Sequence, residues 1–225
     1  SIVAIQKNKM DINVNGGRSA VAQVDMKNFN VGKNQHVNYG FSNLSQTMIN
    51  RVLGGSESKI LGKITNSSIG GKGYAETGKV VLINPAGVMF GQGSTVDLNS
   101  LTVSTFDLKG AKNLQGMTEK QLKSYQNTLN TKFAAPILTD NTESVTKAFE
   151  FDSKAVDEFK AAGIDMDSLS GNTKITFDGT HFNKFEDQTN SKIAGYNTNK
   201  NVNVVADNID YKDSMIKVGD NATYL

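Results

Sequence analysis

The chain has 225 residues, 37% of them apolar, a formal net charge of +2 and no cysteine. That length suits one large domain or two small ones, and the missing cysteine excludes disulfides, cysteine-ligated zinc and thiol catalysis together. A near-neutral charge argues against a dedicated nucleic-acid binder, and no stretch approaches the ~18 apolar residues of a membrane span, so neither nucleic-acid binding nor membrane insertion is expected.

Twenty-five asparagines and 21 glycines against two prolines forecast many turns, because Asn and Gly tolerate left-handed backbone. The chain opens on Ser1-Ile2-Val3-Ala4, already strand-like, without an initiator Met or a signal-peptide pattern, and closes on the strand-like Ala222-Thr223-Tyr224-Leu225. A piece of a longer protein is expected. Ile12 and Val14 alternate with polar residues, Asn15-Gly16-Gly17 turns, and Ala20, Ala22 and Val24 alternate again. Val37, Tyr39 and Phe41 keep the period of two that marks half-buried strands. Val80–Ile83 and Val88–Phe90 read as strands flanking Asn84-Pro85-Ala86-Gly87, whose Pro in second and Gly in fourth place suit a type I turn. Val96/Leu98, Leu101/Val103 and Phe106/Leu108 form three apolar pairs at a spacing of five and predict three very short strands. Strands this short and this evenly spaced point to a sandwich, barrel or solenoid. Single asparagines near strand ends, able to turn left-handed corners and stack in ladders, favour a parallel β-helix with a coil of roughly 20 residues.

Residues 109–170 break the pattern. Thr118-Glu119-Lys120-Gln121 is a capping-box sequence, and Leu122, Tyr125, Leu129 and Phe133 then share one helical face until Pro136. A second helix is predicted near Ser153–Ala162, with Val156 and Phe159 inward and Gly163 as its stop. After Gly171 the strand pattern resumes through Ile175 and Phe177, Ile193, Val202 and Val204, Ile209, then Ile216 and Val218.

The residues give little purchase for catalysis. His36 and His181, the two histidines, stand in no metal-ligand pattern. Asp165-Met166-Asp167 followed by Gly171 fails as a calcium loop, because the glycine is misplaced and Thr176 stands where the closing Glu belongs. Gly70-Gly71-Lys72-Gly73 lacks phosphate-loop spacing, and Gly91-Gln92-Gly93-Ser94 reads as a turn. No catalytic residue, metal site or cofactor is assigned.

Six segments stand out between Met26 and Leu108: Met26-Lys27-Asn28-Phe29-Asn30-Val31-Gly32, Val37-Asn38-Tyr39, Asn50-Arg51-Val52-Leu53-Gly54, Ser58-Lys59-Ile60-Leu61-Gly62-Lys63-Ile64, Val80 through Gly91, and Ser104-Thr105-Phe106-Asp107-Leu108. In this order and spacing they resemble the N-terminal secretion domain of two-partner secretion exoproteins of the filamentous-haemagglutinin type. The chain departs from that family in three places. Ala86 stands where the family has Asn, Phe41-Ser42-Asn43-Leu44 stands for Asn-Pro-Asn-Leu, and the helical segment 109–170 is inserted.

The resemblance implies an all-β fold, a right-handed parallel β-helix with an N-terminal cap and an inserted helical segment. Residues 1–108 would form the cap and first coils, 109–170 the insertion, and 171–225 further coils. It implies a protein of a Gram-negative bacterium exported via the periplasm to the cell surface or medium, with no enzymatic activity. The partner would be an outer-membrane β-barrel transporter whose POTRA domains engage the extended chain, which then folds outside as a monomer and templates its downstream passenger. The motif residues carried over for transporter recognition are Asn84, Pro85, Ala86 and Gly87 with Asn43 and Leu44, and then Asn50 and Arg51. Since Ala86 departs from the family pattern, the Asn84–Gly87 motif is expected to act mainly by shaping a corner. Two alternatives stay open: an adhesin module whose segment 109–170 binds a host or neighbouring-cell surface ligand, and a β-helix that cleaves acidic polysaccharide.

Overall fold

The computed structural model describes residues 2–14, 21–42, 46–68, 78–133, 142–152, 154–169, 171–182, 201–218 and 221–225. Strand β1 (Ile2–Gln6) turns back on β2 (Lys9–Val14) as an antiparallel pair. From β2 onward every strand pairing is parallel. β3 (Val21–Met26) is followed by a single bridge at Val31. Next come β4 (His36–Phe41), β5 (Thr47–Val52) and β6 (Ser58–Ile60), then β7 (Lys63–Ser68), β8 (Lys79–Ile83) and β9 (Val88–Phe90). β10 (Thr95–Asp97) and β11 (Ser100–Ser104) lead into the helical region, after which β12 (Lys174–Asp178) returns to the sheets. β13 (His181–Phe182), β14 (Asn201–Val205), β15 (Asn208–Lys212), β16 (Met215–Ile216) and β17 (Asn221–Tyr224) follow.

The strands sort into three sheets visited in turn. Sheet 1 has the order β1-β2-β4-β7-β10-β13-β16, sheet 2 the order β17-β14-β11-β8-β5-β3, and sheet 3 the order β15-β12-β9-β6. Equivalent residues of the first cycles lie 27 apart, as Asp11, Asn38 and Thr65 do in a hydrogen-bonded column. The repeat varies: it is longer than the roughly 20 residues expected in these cycles, but Val80 and Leu101 are register partners 21 apart, and Asn201 and Asn221 are partners 20 apart.

Alternation places Ile12, Tyr39, Met48, Leu82, Phe90 and Val103 among the residues of one elongated core shared by all three sheets. Phe90 and Phe177, register partners in sheet 3, stack with ring centres 5.3 Å apart. The backbone packs as closely as the side chains: a Cβ on Gly62 would lie 2.2 Å from the Gly32 carbonyl oxygen, so only glycine fits there.

Sheet 2 differs from the others in being buried on both faces. Val80 and Leu82 point into the main core, while Val81 and Ile83 belong to a second core on the outer side. That is why Val80–Ile83 is a continuous apolar run rather than an alternating one. The cover comes from the helices between β11 and β12: α1 (Glu119–Thr128), a π-helical turn (Leu129–Phe133), α2 (Thr142–Ala148), α3 (Asp157–Ala161) and α4 (Met166–Leu169). Thr118 and Gln121 form the reciprocal capping box the sequence predicts. The cover also reaches the open edge of β3, where Asn130 accepts from the Val21 N–H at 3.2 Å and Gln126 donates to the Val21 carbonyl at 2.7 Å.

Three local expectations need correction. Phe106 and Leu108 form no strand, because Ser104 ends β11 with a side-chain turn, its Oγ accepting from the Phe106 N–H at 2.9 Å. Leu108 instead bridges Phe149 and enters the second core. Leu122, in the first turn of α1, is exposed, while Tyr125, Leu129 and Phe133 are buried. The second predicted helix is shorter, Asp157–Ala161, with Val156 at its N-cap and Phe159 buried; Gly163 does follow it in a left-handed conformation. The turn at Asn15-Gly16-Gly17, Pro136 and Ile193 lie outside the described residues.

Candidate functional site

The Asn84–Gly87 corner joins β8 in sheet 2 to β9 in sheet 3. The Gly87 N–H donates to the Asn84 carbonyl at 3.0 Å, closing a four-residue turn. Asn84 Oδ1 accepts from the Ala86 N–H at 2.9 Å. Its Nδ2 donates backward to the preceding cycle, to the Ser56 carbonyl and to Ser58 Oγ, both at 2.9 Å. The Asn84 N–H donates forward to the Ser104 carbonyl at 2.9 Å. The fully buried Asn84, through side chain and backbone, therefore fixes its own turn and ties together three successive cycles. Gly87 has φ 104°, and a Cβ there would meet the Lys174 carbonyl oxygen at 2.8 Å. Pro85 is buried and Ala86 half-buried. Only the Ala86 N–H takes part in the corner's bonding, and any residue except proline supplies it.

Asn50 and Arg51, neighbours on β5, point to opposite faces of sheet 2, and both are completely buried. Asn50 faces inward, accepting from the Tyr39 hydroxyl at 3.0 Å and donating to the Val81 and Met48 carbonyls. Burial without a carboxylate neighbour pushes the Tyr39 hydroxyl above its ordinary range. Arg51 faces outward beneath the helices. It grips Asp107 through Nε at 3.1 Å and Nη2 at 2.8 Å, while Nη1 reaches Asp25 at 3.2 Å and Asn113 Oδ1 at 2.9 Å. Its guanidinium carbon sits 5.7 Å from the centre of the Phe159 ring. Burial pulls the Arg51 charge down, but Asp107 and Asp25 overcome it and raise its pKa. Burial pushes the Asp107 carboxyl up, against the opposing pull of Arg51 and the Leu108 N–H. The two-pronged geometry favours the ionised pair, which is the form assigned here.

The corner and the arginine staple face a common space. Pro85 and Asp107 both line a cavity of about 320 Å³ between the corner and the helical cover. Asn43 and Leu44 lie outside the described residues. Asp107, Asp25, Tyr39 and Ser58 are bonding partners of the candidate residues that residue-by-residue reading missed. Asp107, Tyr39 and Ser58 each lie inside a segment singled out above, so the segments themselves were the signal.

A family model for the TPS secretion domain matches residues 1–223. The chain belongs to the TPS secretion domain family. Among curated relatives, this TPS domain is 34% identical to a Heme/hemopexin-binding protein of Haemophilus influenzae over 130 residues, 58% of this chain and 12% of that protein. A second Heme/hemopexin-binding protein, from Haemophilus influenzae strain ATCC 51907 / DSM 11121 / KW20 / Rd, is 33% identical over 102 residues, 45% of this chain and 10% of the relative. The TPS domain therefore spans a small fraction of the relatives it matches. The relatives it matches are TPS exoproteins. No described helix is long and apolar enough to cross a membrane.

Proposed function

We propose that this chain is the secretion domain of a large exoprotein, read in extended form by the POTRA domains of its outer-membrane β-barrel transporter and nucleating a β-helix outside the cell. The carrying observation is burial. Asn84, Asn50 and Arg51 are all fully inaccessible in the folded chain, and each is saturated by partners of its own chain. A transporter can touch these side chains only before folding, and folding then withdraws them. Refolding outside makes passage one-way, since re-entry would cost the folding free energy of about 5–15 kcal/mol.

The fold proposed is a right-handed parallel β-helix. Its support is the passage of successive strands through three sheets in a fixed order. The antiparallel β1 serves as a cap on sheet 1, ending the parallel ladder. Residues 1–108 act as cap and first coils, 109–170 as an insertion that covers sheet 2, and 171–225 as further coils ready for continuation. The relatives' named ligands are not carried over, because the similarity touches only about a tenth of each relative.

The test is secretion with and without the transporter, comparing wild type with Asn84→Asp. Aspartate keeps the acceptor for Ala86 but removes both donations to Ser56 and Ser58. Loss of extracellular protein in the variant, with refolding of the purified chain intact, ties Asn84 to recognition; loss of both ties it to the corner. Equal yields of well-folded protein would sink both roles.

A further inference from the structure

We infer that the cavity between the Asn84–Gly87 corner and helices α3 and α4 is a binding site for a small organic cation with an apolar body. Its volume of about 320 Å³ falls in the range of small-ligand pockets. Pro85, Phe106, Phe151, Phe159, Met166 and Leu169 supply an apolar, largely aromatic wall. Phe106 and Phe151 lean on one another with ring centres 5.2 Å apart, yet Phe151 is still 41% exposed at the mouth. Phe159 already carries the Arg51 guanidinium against its ring, so this wall accepts positive charge.

Two independent features set the charge and the polar contact. Glu150, Asp152, Asp167 and Asp207 line the cavity against one lysine, Lys160, and none of the five joins an ion pair among the described residues. Asp107, also in the lining, is already matched by Arg51. The cavity therefore holds an uncompensated negative field that attracts ammonium groups and repels carboxylates. Within it, Thr105 is 6% exposed and its Oγ1 has no hydrogen-bond partner. A buried hydroxyl left unpaired is costly, and an ammonium N–H donating to it removes that cost. The apolar body would lie on the phenylalanines and the charged head between Thr105 and the carboxylates.

Calorimetric titration of the 225-residue chain with tryptamine, and in parallel with indole-3-propionate, separates charge from shape, since the two share a ring and carry opposite charges. Tryptamine should bind saturably at one site, with indole-3-propionate at least about tenfold weaker. Thr105→Val and Asp207→Asn should each weaken tryptamine several-fold, and Ala155→Trp, which fills the cavity, should abolish binding. Asp207 is on the surface, so its variant keeps the test sound if a buried substitution misfolds. No binding of tryptamine up to about 5 mM overturns the proposal. So does equal binding of the two indoles, or tryptamine affinity unchanged in Asp207→Asn.

Discussion

From β2 onward sheets 1 and 2 share the same parallel pairing, yet their outer faces are opposites. On sheet 1 the outer columns are polar: Lys9, His36 and Lys63 stand in register, beside the hydrogen-bonded Asp11, Asn38 and Thr65. On sheet 2 the outer positions hold Val21, Ile49, Val81, Ile83 and the buried Arg51. The difference teaches that the helical cover is part of the core's architecture. Its removal would expose an apolar face wide enough to aggregate, whereas sheet 1 meets water unaided.

Breaking the covered side should have the largest effects. Arg51→Ala leaves the buried Asp107 and the half-buried Asp25 without their cation, and should cost about 3–5 kcal/mol in denaturant unfolding. A loss under about 1 kcal/mol would mean that the staple is ornamental to the cover. Gly87→Ala, which strains the corner feeding sheet 3, should cost about 1–3 kcal/mol by the same measurement.

The bare side should respond more gently, and through charge. Burial, then Lys9 and Lys63, lower the pKa of His36, with Asp11 opposing. Neutral His36, bonded to Thr65 Oγ1 at 2.6 Å, is thus favoured by the fold. Its contribution is present above the unfolded-state pKa of about 6.5 and is lost as pH falls through that value toward the lowered folded one. His36→Gln should flatten this part of the stability–pH curve, and an unchanged slope would refute the assignment. Smallest of all, Lys63→Ala should change stability by no more than about 0.5 kcal/mol while moving the His36 titration, followed by NMR, back toward about 6.5.

Much of the first 108 residues was legible, for reasons that differ by element. Alternation at Val37, Tyr39 and Phe41 revealed a strand because sheet 1 has one wet face. Asn84-Pro85-Ala86-Gly87 revealed a turn through local backbone preference alone. Periodicity could not show that the neighbours pair in parallel; the single asparagines near strand ends favoured it, and the family resemblance implied it. The role of Arg51 was hidden because Asp107, its main partner, lies 56 residues on, and no local rule joins them. Leu122 misled because a helical stripe read from the sequence does not show where the packing surface ends, and the first turn of α1 lies beyond it. Ala86 was the doubtful letter of the corner; its side chain takes no part in the bonding there, so alanine serves as well as asparagine.

The edge of β3 sets a clock. Among the described residues, Val21 finds partners for its outward N–H and carbonyl at Asn130 and Gln126, more than 100 residues downstream. On the proposed export route, with the N-terminus leading, that edge finds no partner within the chain until the helices follow, and closing so long a loop is slow. The outer edge of the first strand of sheet 2 is thus among the last to be sealed.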